Sequence, residues 1–119
     1  MFVDDDPVFL RAARVLLERQ GIDVVAVAST GAEARRYSLE LRPDVVLVDV
    51  ALHRESGFDL ARELTVGRED GAPKVILISN YSADDFRDLI ADSPALSFLS
   101  KTDLSGEAIR AILTSAGDR

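Results

Sequence analysis

The sequence contains no cysteine and a single histidine, His53. Without cysteine there are no disulfides, thiolate metal sites or cysteine nucleophiles. One histidine cannot build a His-rich zinc site. No apolar run approaches the roughly 18–20 residues of a membrane helix, and no signal-peptide pattern opens the chain. No membrane contact and a cytoplasmic location are therefore expected. Basic residues are also scarce: 14 Lys and Arg stand against 21 Asp and Glu, a formal net charge of −7. A surface of that sign disfavours direct contact with nucleic acid and favours partners that are proteins or cations. What is present suits one folded domain. The 119 residues are 47% hydrophobic and 29% charged, a balance that supports a single substantial core rather than disorder.

Four apolar runs read as strands: residues 22–28 (IDVVAVA), 44–50 (DVVLVDV), 74–79 (KVILIS) and 96–100 (LSFLS). MFV before Asp4 supplies a fifth, unusually short one. The two middle runs are continuously apolar and rich in Val and Ile, the pattern of parallel strands covered on both faces. Helical segments alternate with them. The first is expected over residues 7–20, with Asp6 as cap, Pro7 in the first turn and Gly21 at the end. The second follows Thr30, whose spacing to Glu33 is that of a capping box, and stops before Pro43. The others are expected over residues 57–66, 82–91 and 105–115, with Ser82 and Asp85 again at capping-box spacing. Strand followed by helix, five times over, predicts an α/β domain with a five-stranded parallel sheet and helices on both faces. In such sheets ligands bind beyond the carboxyl ends of the strands, where the winding reverses.

The residues that end the apolar runs are therefore the candidate site. They are Asp4 and Asp5 after the first strand, Asp49 after VVLV, Ser79 after VILI and Lys101 after FLS. Three carboxylates share a small space only if a cation offsets them or one takes up a proton. Oxygen donors without histidine or cysteine suit a hard ion, Mg²⁺ or Mn²⁺. A carboxylate can also act as a nucleophile and accept a phosphoryl group, whose oxygens the metal, Lys101 and the Ser79 hydroxyl would neutralise or hydrogen-bond.

Over essentially its whole length the sequence resembles the receiver domain of two-component response regulators. The resemblance is carried by VDDDP, VVLVDVALHRESG, VILIS and FLSKTDL, in that order and each at an expected strand end. It implies a doubly wound flavodoxin-like sheet in the order 2-1-3-4-5 and one receiver domain over residues 1–119 with no output domain in the chain. Asp49 would be the phosphorylated aspartate. Asp5 would bind Mg²⁺ directly, Asp4 largely through water, and the backbone carbonyl of Ala51 would be a further ligand. Ser79 would be the hydroxyl that moves to meet the phosphoryl group and Lys101 its ion-pair partner. Phe98 matches the aromatic switch position, and Gly57, eight residues after Asp49, the glycine that closes the loop. The implied partners are a histidine kinase or phosphotransfer protein and, on activation, a second copy of the chain. The switched surface would comprise the fourth helix, fifth strand and fifth helix. This sequence departs from the family where His53 and Thr102 replace common prolines. Ala51 and Tyr81 occupy positions that tune phosphate lifetime in the family. KTDL resembles receivers joined to LuxR-type output domains.

Simpler readings stand beside these. Asp6 is accounted for as a helix cap. Asp49 and Lys101 would also suit a structural ion pair, Ser79 a strand-ending hydroxyl, Phe98 plain core, and His53 an exposed loop residue with scope to modulate Asp49. Two other functions are compatible with parts of the pattern. One is a receiver-like binding module that works without phosphate. The other is a haloacid-dehalogenase-type phosphatase, since residues 4–8 fit D-x-D-x-[TV], with Asp4 as nucleophile and Asp6 as acid/base.

Overall fold

In the computed structural model, which describes residues 1–52, 54–66 and 71–117, the two Val- and Ile-rich runs lie at the centre. The sheet strands are β1 (Phe2–Val3), β2 (Val27–Ala28), β3 (Val45–Asp49), β4 (Lys74–Ser79) and β5 (Ser97–Ser100). They pair in parallel in the order β2-β1-β3-β4-β5. The register places Val3 beside Val48 and Asp49 beside Ile78, so the carboxyl ends of neighbouring strands finish together. This is the doubly wound, flavodoxin-like arrangement expected from the sequence.

Alternation along the strands divides the core in two. Val46, Val48, Val75 and Leu77 face one cluster, and Leu47, Ile76 and Ile78 the other. The first is covered by α2 (Gly31–Leu41) and α3 (Gly57–Thr65), through Ala34, Leu60, Ala61 and Leu64. The second is covered by α1 (Pro7–Arg19) and α5 (Gly106–Gly117), through Leu10, Ala13, Leu17 and Ile109. The caps follow the sequence closely. The Asp6 carboxylate accepts from the amides of Val8 and Phe9, Pro7 opens α1, and Gly21 turns the chain away at φ +85°.

Two elements are shorter than their patterns suggest. Only Val27–Ala28 of the expected 22–28 strand is in the ladder, because β2 is an edge strand whose neighbour, β1, offers just Phe2 and Val3. The expected helix over 82–91 is a 3₁₀ turn at Ala83–Phe86 followed by α4 (Arg87–Ala91). From that segment only Phe86 and Ile90 pack against the core, neither fully buried, so little apolar burial holds it as one regular helix.

The loop after Asp49 is a small antiparallel hairpin that pairs Ala51–Leu52 with Glu55–Ser56. It closes against Gly57 with almost no clearance. A Cβ there would overlap the carbonyl oxygen of Asp49 and stand 2.7 Å from its carbonyl carbon and from the Cα of Val50. Gly31 is constrained more softly, by the carboxylate of Glu55, which is paired to Arg35. Backbone cannot yield as a side chain can. Gly57→Ala is therefore expected to destabilise by about 2–3 kcal/mol, and Gly31→Ala to stay within about 1 kcal/mol of the original protein as Glu55 swings outward. Urea unfolding of the two variants checks the ranking.

Candidate functional site

Four of the five strands, β1, β3, β4 and β5, deliver polar groups to the same carboxyl edge of the sheet. Asp4 and Asp5 follow β1, Asp49 closes β3, Ser79 closes β4, and Lys101 follows β5 in a 3₁₀ turn at Lys101–Asp103. Asp4, Asp49 and Ser79 are all buried, with Asp4 at 0% exposure, whereas Asp5 is exposed. One carboxylate oxygen from each of Asp4, Asp5 and Asp49 lies within 4.8 Å of the others. The structure thus brings together five residues separated by up to 97 positions (101 − 4).

Each buried carboxylate has its two oxygens used differently. Asp4 Oδ1 accepts from the Asp6 amide at 2.9 Å, and Asp49 Oδ1 from the Ala51 amide at 3.0 Å. Both Oδ2 atoms turn to Lys101, whose Nζ is 2.6 Å from Asp4 and 3.2 Å from Asp49. The contact with Asp49 is a hydrogen bond, while that with Asp4 is an ion pair without hydrogen-bond alignment, which leaves Asp4 Oδ2 buried with no aligned donor among the described residues. Ser79 Oγ accepts from the Tyr81 amide at 3.0 Å.

The electrostatics follow from burial. Desolvation pushes the Asp49 carboxyl above its ordinary range, against the opposing Ala51 amide, and the charge of Asp4 adds to the rise while Lys101 opposes it. Burial works to lower the pKa of Lys101, but Asp4 and Asp49 outweigh it and hold the ammonium above its usual value. With all three carboxylates ionised, one ammonium leaves an excess of two negative charges. Oxygen donors, that excess and the undonated Asp4 Oδ2 fit a hard divalent cation.

The other sequence candidates lie around this centre. Ala51 and Tyr81 are exposed beside it. Phe98 is partly buried, with its ring centroid 6.1 Å from that of Phe86, which in turn lies 6.4 Å from the ring of Tyr81. His53 lies outside the described residues. One residue that the sequence reading passed over is Phe9: its ring centroid is 4.4 Å from Lys101 Nζ. Its one sequence signal is position, beside the core-facing Leu10 in the first turn after the Asp6 cap.

Comparison with known proteins identifies the lineage. Residues 1–113 match the family described as "Response regulator receiver domain", and the chain belongs to that family. It is 32% identical over 113 residues to the transcriptional regulatory protein LiaR of Bacillus subtilis, covering 94% of this chain and 53% of that protein. Among solved structures it is similar to a LuxR-family two-component response regulator from Aurantimonas sp. SI85-9A1 (TM-score 0.81, 29% identity, 100% of this chain and 84% of the other). It is also similar to the signal receiver domain of the putative response regulator NarL from Mycobacterium tuberculosis (TM-score 0.80, 28% identity, 99% and 94%). The chain spans about half the length of the curated relatives LiaR and a Pseudomonas aeruginosa regulator. Receiver domains of this family are signalling domains that take phosphate from histidine kinases and bind Mg²⁺ in an acidic pocket.

The two sides of the ion-pair cluster should respond oppositely to mutation. Folding raises the pKa of Asp49, so the folded protein holds that proton more tightly than the unfolded chain does, and ionisation at higher pH costs stability. Asp49→Asn removes this cost. In chelator at pH 7 it is expected to melt above the original protein, with the gap closing as pH falls through the titration of Asp49. Lys101→Met, which strands two buried carboxylates, is expected to lose about 3 kcal/mol under the same conditions. Thermal unfolding across pH, with and without chelator, measures both.

Proposed function

We propose that the chain is a single phosphoacceptor receiver domain in which Asp49 takes a phosphoryl group from a histidine kinase or phosphotransfer protein, with Mg²⁺ held by Asp4, Asp5, Asp49 and the carbonyl of Ala51. The observation that carries this reading is the shared grip of Lys101 on Asp4 and Asp49 at the carboxyl edge of the sheet. Asp49 presents a carboxylate whose Oδ1 is fixed by the Ala51 amide. An oxygen of that carboxylate forms the new bond to phosphorus while the bond from phosphorus to the donor nitrogen, or to the acetate oxygen of acetyl phosphate, breaks. The donor leaves with that electron pair, and the product is an acyl phosphate. When bound, the cation supplies positive charge to the phosphoryl oxygens and offsets the carboxylates around them.

The chain's own residues then respond. Lys101 pairs with a phosphoryl oxygen in place of Asp49 Oδ2. Ser79 accepts from the Tyr81 amide, so its own hydroxyl proton is available to the phosphoryl group. Moving toward that group breaks the bond to Tyr81 and shifts the loop 80–82. The Tyr81, Phe86 and Phe98 contacts link this loop to the 3₁₀ turn that leads into α4, and to β5. That connection supports an output surface formed by α4, β5 and α5, read by a partner or a second copy of the chain. Phe98 is the switch aromatic in this scheme. Tyr81, exposed beside the site, tunes phosphate lifetime, and His53 is assigned a modulating role.

The activity is self-phosphorylation from a phosphodonor and autodephosphorylation, in which water takes the phosphoryl group from Asp49 and releases inorganic phosphate, not turnover of an external substrate. Against the phosphatase alternative, a carboxylate oxygen of Asp6 is engaged by two amides as the cap of α1, away from the acid/base role that alternative needs. The domain operates in the cytoplasm without contacting nucleic acid or membrane. Among the described residues no helix is long and apolar enough to cross a membrane. Incubation with Mg²⁺ and acetyl phosphate is expected to add one phosphoryl mass to the intact chain, and Asp49→Asn to abolish it. An adduct that persists in that variant contradicts the assignment, and sustained phosphate release by it would favour the phosphatase.

A further inference from the structure

We propose that Phe9 is a positioning residue for Lys101: its ring face retains the ammonium at the site when the carboxylates that now pair with it are engaged by a divalent cation. The inference rests on the phosphoacceptor reading above and adds to it a residue outside the acidic cluster.

Among the described residues Lys101 Nζ has three partners: Asp4 Oδ2 at 2.6 Å, Asp49 Oδ2 at 3.2 Å, and the Phe9 ring, whose centroid is 4.4 Å away. Two of the three are conditional. A cation among Asp4, Asp5 and Asp49 draws on the same carboxylates and adds a positive charge that repels the ammonium. A lysine chain is flexible and its head is strongly hydrated, so a lysine with no other partner would swing toward water. The ring is the partner that a cation does not consume. An aromatic face attracts an ammonium most strongly where water is excluded, and the Lys101 side chain is only 7% exposed.

The ring is held in place. Phe9 packs edge-on against Phe2, with centroids 6.1 Å apart and planes at 88°. Phe2 is itself buried in β1, two residues before Asp4. Asp6 ties the ring to the site a second time: its amide donates to Asp4 Oδ1 and its carboxylate accepts from the Phe9 amide at 3.3 Å. One turn of chain thus sets both the buried carboxylate and the aromatic face between which the ammonium lies.

The test uses the whole chain and the variants Phe9→Leu and Phe9→Tyr, with Phe9→Met replacing the leucine variant if that one does not fold. The first readout is the NMR shift of the Lys101 ε-methylene protons, which a ring face moves upfield, with and without Mg²⁺. The upfield shift is expected to survive Mg²⁺ in the original protein and in Phe9→Tyr, and to vanish in Phe9→Leu. The second readout is the initial rate of phosphoryl uptake from acetyl phosphate at saturating Mg²⁺. It is expected to fall about three- to tenfold in Phe9→Leu and to return to within about twofold in Phe9→Tyr. Loss of the upfield shift when Mg²⁺ is added to the original protein, or an unchanged rate in Phe9→Leu, overturns the proposal. Absence of any phosphoryl uptake by the original protein would instead defeat the phosphoacceptor reading, and the NMR shifts would still decide the role of Phe9.

Discussion

Two buried carboxylates share one ammonium at the edge of a parallel sheet, and the rest of the structure is arranged to keep them there. Asp4 and Asp49 carry like charges in a desolvated place, an arrangement that drives apart or takes up a proton unless something positive intervenes. Lys101 intervenes directly, through contacts of 2.6 and 3.2 Å. Parallel pairing of β1 with β3 makes the two aspartates neighbours, and pairing of β4 with β5 carries Lys101 to the same edge. Gly57 lets the following loop fold back onto the Asp49 backbone. None of these features would be required by a domain that merely needed a core.

The price of such a site is a chain of groups whose contacts depend on one another. Asp49 is tied to Ala51 through its side chain, Ser79 to Tyr81, and Tyr81 through Phe86 to Phe98. The segment over residues 83–91 reaches the core through only Phe86 and Ile90, whereas α3 buries Leu60, Ala61 and Leu64. A weakly anchored element beside a charge-sensitive site is physically suited to respond when that charge changes. In the proposed function this asymmetry carries the signal outward, while α1, α2, α3 and α5 hold the sheet.

Much of this was legible in the residues. The runs at 44–50 and 74–79 are too apolar for a half-exposed sheet, and the caps at Asp6, Thr30 and Ser82 mark where helices begin. The polar residues that close these runs, Asp4, Asp5, Asp49, Ser79 and Lys101, are the ones the sheet gathers at one edge. Tertiary context overrides the local pattern in two places. IDVVAVA has strand composition, but its edge position leaves most of it without a ladder partner. The segment after Ser82 has a helix start but too few buried apolar side chains to sustain a regular helix. Phe9 and the pairing of Arg35 with Glu55 were invisible for another reason. Both depend on how α1 and α2 rest against loops distant in sequence, and no local pattern encodes that.

The proposed function requires that the acidic cluster, whose negative charge exceeds what Lys101 alone offsets, hold a divalent cation. Calorimetric titration of Mg²⁺ into the protein at pH 7 and low salt measures that binding. The account requires saturable binding of one ion per chain, strongly weakened by Asp49→Asn. No saturable binding, or binding unchanged in that variant, would contradict it.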